Sequence, residues 1–152
     1  MRSLILIALV VATGCGKEIG DSCVVSSDCD PNGQRICDVS QKEGYCTIMG
    51  CDYSTCPEEA ACIRFFSGSF ENRLCDEEPG CSFDELCDIN NHCVPRTAEA
   101  RYCMRTCDDD DDCRDGYECR DLAKMRAHGG EPVLAPGVRV DESAPKFCAI
   151  AP

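Results

Sequence analysis

Tryptophan is missing from this chain, and other aromatics are scarce: five Phe and four Tyr in 152 residues. So few large apolar side chains cannot fill one sizeable hydrophobic core. Long apolar runs are missing too. The one sustained run, Leu4 to Ala12, holds nine residues, whereas a membrane-spanning helix needs about 20. Bases are few, 15 Lys and Arg against 28 Asp and Glu, and they form no stripe that a polyanion could follow. Nucleic acid is therefore excluded as a partner, and so is a polybasic contact with a membrane.

Missing motifs exclude chemistry. There is no Cys-x-x-Cys; the tightest spacing is Cys103-x3-Cys107. Structural zinc sites and thioredoxin-like redox centres both use the closer pair. The two histidines, His92 and His128, are far apart, and only His92 is near a cysteine. Gly-x-Ser-x-Gly does not occur. The many carboxylates carry no information about acid–base catalysis. The expectation is a protein that is not an enzyme and holds no cofactor.

What is present begins at the N-terminus. Arg2 supplies a positive charge, Leu4 to Ala12 an apolar segment, and Thr13-Gly14 a small-residue close. That is the grammar of an export signal. Cys15 follows directly. The stretch resembles the lipobox of bacterial lipoproteins, although Ala12 stands where leucine is common. The resemblance implies that the Cys15 thiol receives a diacylglycerol and that cleavage removes residues 1–14. Gly16, not Asp, follows the cysteine, so the enterobacterial inner-membrane retention signal is absent and the outer membrane is the expected location, facing the periplasm or the cell surface. One acyl chain holds a protein only marginally, whereas two or three give stable anchoring. Residues 15–22 read as the lipidated end and a short tether. The alternative is ordinary cleavage at the same point and secretion without an anchor.

Removing 14 of 152 residues leaves 138 and takes Arg2 with it, so the net charge passes from −13 to −14. Of 17 cysteines, 16 then remain besides Cys15. That density marks a disulfide scaffold, which an oxidising compartment permits. They fall into four groups: Cys23, Cys29, Cys37, Cys46; Cys51, Cys56, Cys62, Cys75; Cys81, Cys87, Cys93, Cys103; and Cys107, Cys113, Cys119, Cys148. Within each group the first two intervals barely vary and the third is free, which is the signature of an internal repeat. Asp28 and Asp112 stand before the second cysteine of their groups, and Gly44-Tyr45 before Cys46 parallels Gly116-Tyr117 before Cys119.

The expected fold is small and disulfide-rich, with tandem modules of loops and short β-hairpins at 23–46, 51–75, 81–103 and 107–148, little helix and no large core. Asp30-Pro31-Asn32-Gly33, Pro79-Gly80 and Asn90-Asn91 punctuate the chain as turns, and one helical turn is expected near Asp121 to His128. Connectivity cannot be deduced from sequence alone. Repetition favours pairing within each group, and crossed pairing compacts a small module best. The pairs expected on that argument are Cys23–Cys37 with Cys29–Cys46, Cys51–Cys62 with Cys56–Cys75, Cys81–Cys93 with Cys87–Cys103, and Cys107–Cys119 with Cys113–Cys148. CVVSSDCDPNGQRIC and CDDDDDCRDGYEC resemble the cysteine-rich repeats of myxobacterial secreted lipoproteins and, more loosely, Dickkopf-type and EGF-like modules. The resemblance implies a secreted, stapled binding or spacer protein and supplies no catalytic residue.

Two stretches remain as candidate sites. The acidic run offers Asp108, Asp110, Asp112 and Asp115 as calcium ligands, but no EF-hand register fits: from Asp108, Cys113 falls where Gly is needed, and from Asp111, Leu122 falls where the bidentate Glu is needed. A solvated acidic loop is the preferred reading, and the metal assignment is none. The interval 120–147 holds Arg120, Lys124, Arg126, Arg139 and Lys146, a third of the 15 bases. An excursion of that length is either a tolerated insertion, the reading favoured here, or a contact loop for a protein partner. Its stretch Val133–Val138 raises the alternative of a protease inhibitor. The oligomeric state is not legible.

Overall fold

The computed structural model describes residues 16–152 except Asn72; the expected signal segment and Cys15 lie outside the described residues. In chain order the strands are β1 (Ile36–Cys37), β2 (Cys46–Thr47), β3 (Ala60–Phe66), β4 (Glu85–Cys87), β5 (Cys93–Pro95), β6 (Glu99–Arg105), β7 (Tyr117–Arg120), β8 (Glu131–Pro132) and β9 (Phe147–Ile150), with helices α1 (Ser26–Cys29) and α2 (Leu122–His128). They form four small antiparallel sheets, β1–β2, β6–β3–β8, β4–β5 and β7–β9. This is the small disulfide-rich fold of short hairpins. Two strands are longer than the turn-rich sequence suggests: β3 and β6 pair along seven residues, from Ala60↔Arg105 to Phe66↔Glu99. Among the described residues no helix is long and apolar enough to cross a membrane.

All sixteen cysteines from Cys23 to Cys148 are in disulfides. Six expected pairs form: Cys23–Cys37, Cys29–Cys46, Cys51–Cys62, Cys81–Cys93, Cys107–Cys119 and Cys113–Cys148. Two do not. Cys56 bonds Cys103 rather than Cys75, and Cys87 bonds Cys75 rather than Cys103. The cause is β3–β6 pairing, which sets Cys62 opposite Cys103. Cys103 is thereby the fourth cysteine of the second module. The expected boundaries 51–75 and 81–103 give way to a module of Cys51, Cys56, Cys62 and Cys103 that holds another, Cys75 to Cys93, inserted between its two strands. The inserted module has a regular spacing, Cys75-x5-Cys81-x5-Cys87-x5-Cys93.

With that exchange all four modules obey one rule. The first cysteine bonds the third, the second bonds the fourth, and the third and fourth face each other across an antiparallel pair: Cys37↔Cys46, Cys62↔Cys103, Cys87↔Cys93 and Cys119↔Cys148. Directly opposed residues project to the same face of a hairpin. The two bridges therefore draw the preceding loop over that face. The sulfurs of Cys23, Cys29 and Cys37 lie within 4.8 Å of one another, and so do those of Cys107, Cys113 and Cys119. In the chain-entropy account, Cys56–Cys103 removes about 4 kcal/mol of unfolded-state freedom and each short closure about 3.

The modules are not independent beads. Ile19, Tyr45, Ile63, Met104, Tyr117, Met125 and Phe147 share one buried cluster with Cys51, Cys62 and Cys103. It draws on the N-terminal segment and on the first, second and fourth modules. Phe65 of β3 meets Phe147 of β9 edge-on at 6.1 Å.

Interval 120–147 is largely folded into the molecule. Asp121 caps α2 by accepting from the Lys124 N–H at 2.9 Å, and Leu122 and Met125 turn inward. β8 then adds to the edge of β3, and Val133 donates to the Cys62 carbonyl at 2.8 Å. Glu131, 2 % exposed, pairs with Arg64 and accepts the Ile89 N–H from the inserted module. Burial pushes its carboxyl up, against the pull of the Arg64 guanidinium. The carboxylate thus ties interval, sheet and inserted module together.

Non-reducing proteolysis followed by mass spectrometry tests the exchange. Peptides joined through Cys56–Cys103 and through Cys75–Cys87 are expected; recovery of Cys56 linked to Cys75 would overturn the nested arrangement.

Candidate functional site

Residues 17–22, expected to form part of a tether, are packed onto the first module. Ile19 is fully buried. Gly20 donates to the Cys46 carbonyl at 2.9 Å, Cys46 donates to the Asp21 carbonyl at 2.9 Å, and Cys23 donates to the Glu43 carbonyl at 3.1 Å. The Lys17 ammonium donates to the Ser22 carbonyl at 2.6 Å, and Arg35 donates to the Lys17 carbonyl. Only Gly16 separates Cys15 from this fixed segment. A Cβ on Gly16 would come within 3.1 Å of the Cys29 carbonyl oxygen, so even this residue lies against the module.

Close to that segment the surface carries exposed valines. Val24 is 79 % exposed, Val39 71 % and Val25 52 %. Val24 and Val39 line an open groove of about 610 Å³ with Lys17, Asp28 and Glu43. The valines stand outward for a local reason. The Asp28 carboxylate accepts the Val24 N–H at 2.8 Å and the Val25 N–H at 3.1 Å, which fixes their backbone across the start of α1. Those hydrogen bonds hold the Asp28 carboxyl below the ordinary carboxylate range.

A second recess, about 370 Å³, lies between the first and fourth modules and is lined by Asp21, Tyr45, Arg105, Asp112, Arg114 and Tyr117 among others. The paired Gly-Tyr motifs meet here. Tyr45 and Tyr117 stack with centroids 5.5 Å apart, and the Arg114 guanidinium lies 4.3 Å above the Tyr117 ring. Gly44 adopts φ 68°, and a Cβ there would collide with the Cys23 carbonyl, so only glycine lets Tyr45 enter. The Tyr45 hydroxyl donates to the Cys148 carbonyl at 3.3 Å and accepts the Arg105 N–H at 3.0 Å. Burial pushes its ionisation well up. Arg114 donates through Nη2 to the Lys42 carbonyl at 3.1 Å, while its Nε and Nη1 are buried without a partner among the described residues. The contact joins two modules.

The calcium candidates are engaged differently from a metal site. Asp112 accepts the N–H groups of Asp108 at 2.7 Å and Asp109 at 3.3 Å, repeating what Asp28 does in the first module. Asp110 accepts the Cys119 N–H at 2.8 Å and the Lys124 ammonium at 2.8 Å. Both carboxyls are held below their ordinary range, Asp110 foremost by Lys124 and Asp112 by the two backbone donors. Asp108 and Asp115 are exposed. Among the described residues the groups of three convergent donors are all cysteine sulfurs, and those are in disulfides.

The bases of 120–147 are also largely engaged. Arg120 donates to the His128, Gly129 and Ile150 carbonyls and to Glu118, which His128 also meets at 2.6 Å. Burial would raise the Glu118 carboxyl, but His128 and Arg120 pull it below its ordinary range. Lys146 donates to the Asp108 carbonyl at 2.5 Å. Arg126 and Arg139 are exposed. At Val133–Val138, Val138 donates to the Ala135 carbonyl at 3.0 Å, closing a turn around Pro136 and Gly137, whose φ is 84°. Sequence reading singled out Asp28 and Tyr45 only as echoes of Asp112 and Tyr117; their roles follow from those echoes. The exposed valines left no signal, because in a turn-rich segment nothing marks which apolar residues face out.

A scan of protein-family models and searches of curated proteins and of solved structures return no match to this chain.

Replacing Tyr45 by Phe strands the buried Arg105 N–H and Cys148 carbonyl, so calorimetry should show a loss of about 1–3 kcal/mol. Asp112→Asn tests the capping carboxylate. Its pKa is depressed in the fold, so its contribution is present above the unfolded value of about 3.9 and is lost as pH falls through the folded one. The melting difference between wild type and variant should be seen at pH 7 and should close below that range; a difference unchanged by acid would remove the capping role.

Proposed function

We propose that this is an exported lipoprotein of the bacterial cell envelope, held at the outer membrane through acyl chains on Cys15, whose stapled modules serve as a non-enzymatic binding or spacer element. The observation that carries the reading is the cysteine count. Eight disulfides engage every cysteine from Cys23 to Cys148, so Cys15 has no partner left within the chain. An export signal ending on that cysteine gives it an acyl acceptor's role. Eight disulfides also favour an oxidising compartment. Two or three chains on one cysteine suffice for stable anchoring.

The scaffold suits binding or spacing rather than catalysis. Many of its carboxylates hold backbone donors, and its bases largely close carbonyls and ion pairs. Interval 120–147 adds rigidity, and its outward features include Arg126, the Pro136–Arg139 corner and Asp141–Ser143. Protease inhibition has less support, since Val133 is bonded into the sheet and Ala135–Val138 is closed as a turn. An inhibitor docking as an added strand would present extended backbone there. A secreted, unacylated form is the remaining alternative.

Metabolic labelling with a fatty-acid probe decides the anchor. The wild-type chain should take label and sediment with membranes, and Cys15→Ser should do neither. An unlabelled, freely secreted wild type would refute the anchor in favour of the unanchored form.

A further inference from the structure

We infer that the face carrying Val24 and Val39 is the surface by which the protein sits in the lipid headgroup layer. The inference rests on the anchor reading above and goes beyond it, from attachment to orientation. Two residues span at most about 7 Å even when fully extended, so Lys17 cannot lie farther than that from the Cys15 backbone. The headgroup region of one leaflet is about 5–8 Å deep. Since Lys17 is fixed on the first module, a Cys15 whose acyl chains enter the hydrocarbon brings the surface around Lys17 into the headgroups. That surface is the valine groove: Lys17 lines it together with Val24 and Val39.

The chemistry of the groove agrees with its place. Its valines offer apolar area that is exposed in the isolated chain. Burial in the interface is worth about 25 cal/mol per Å². The net charge of −14 repels an anionic leaflet, and Asp28 and Glu43 stand at the same groove. Contact therefore comes from tether length and apolar area, not from charge attraction. The most exposed apolar side chain, Phe83, does not share this geometry. Phe83, fully exposed, belongs to the inserted module, whose Ile89 and Asn90 reach Glu131 and Arg126 rather than the N-terminal segment.

The chain has no tryptophan, so single reporters can be placed without background. Acylated Val39→Trp and acylated Phe83→Trp are reconstituted into phosphatidylcholine vesicles with brominated acyl chains. Val39→Trp should shift its emission to the blue and lose most of it to bromine, and Phe83→Trp should do neither. Flotation of the same samples reads the anchor separately. A floating protein whose Val39→Trp emission is unquenched, or quenched no more than Phe83→Trp, overturns the orientation and leaves the anchor standing. Acylated protein that does not float refutes the anchor, and the seating with it.

Discussion

Everything in this molecule depends on two cysteines facing each other across an antiparallel pair, each bonded to a cysteine from the segment before the hairpin. The constraint is geometric. Opposed residues share a face, so crossed bridges from both must pull one loop across that face. The rest of a module then needs little apolar area. In the first module the sulfurs themselves, with Cys23, Cys29 and Cys46 buried, form the local core. In the first and fourth modules an acidic residue before the second cysteine completes the unit, because Asp28 and Asp112 each gather two backbone donors at the turn the bridges enforce.

The same rule tolerates insertions of very different kinds, because only the third interval is free of the bridges. A tight hairpin fills it in the first and inserted modules. The second module encloses a whole further module there, and the fourth encloses α2 and β8. Both long excursions return to the central sheet. Glu131 is where they meet, held between Arg64 of β3 and Ile89 of the inserted module. A charge this buried is costly unless paired and hydrogen-bonded, and here both conditions hold. It makes a particular arrangement of modules preferable to a loose string.

Tyr45 and Tyr117 do for the first and fourth modules what Glu131 does for the other two. Each is delivered by a glycine before it, and the stacked rings sit under Arg114. The N-terminal segment is built into this joint through Ile19 and Gly20. That leaves almost no free chain between the folded body and Cys15. Anchoring and orientation are therefore coupled in the proposed function: with a long tether the valine face could point anywhere, whereas with one intervening residue it cannot.

The sequence by itself determined the disulfide-rich class and the turns, and it pointed to crossed pairing and to a helical turn near Asp121 to His128. All of these follow from local spacing, where a cysteine, a glycine or a capping aspartate acts on residues close by. It also marked Asp112 and Tyr117 through their repeats at Asp28 and Tyr45. Only the tertiary structure decided which module Cys103 closes, because that depends on β3 finding β6 beyond an inserted unit. No local signal specifies such a pairing, since loop closure costs grow slowly with length. Only the tertiary structure, likewise, turned the long basic interval from an apparent insertion into a sheet edge and a buried carboxylate. Glu131 meets Arg64 and Ile89, and Lys146 meets Asp108, across long stretches of chain, and proximity of that kind exists only once the backbone has folded.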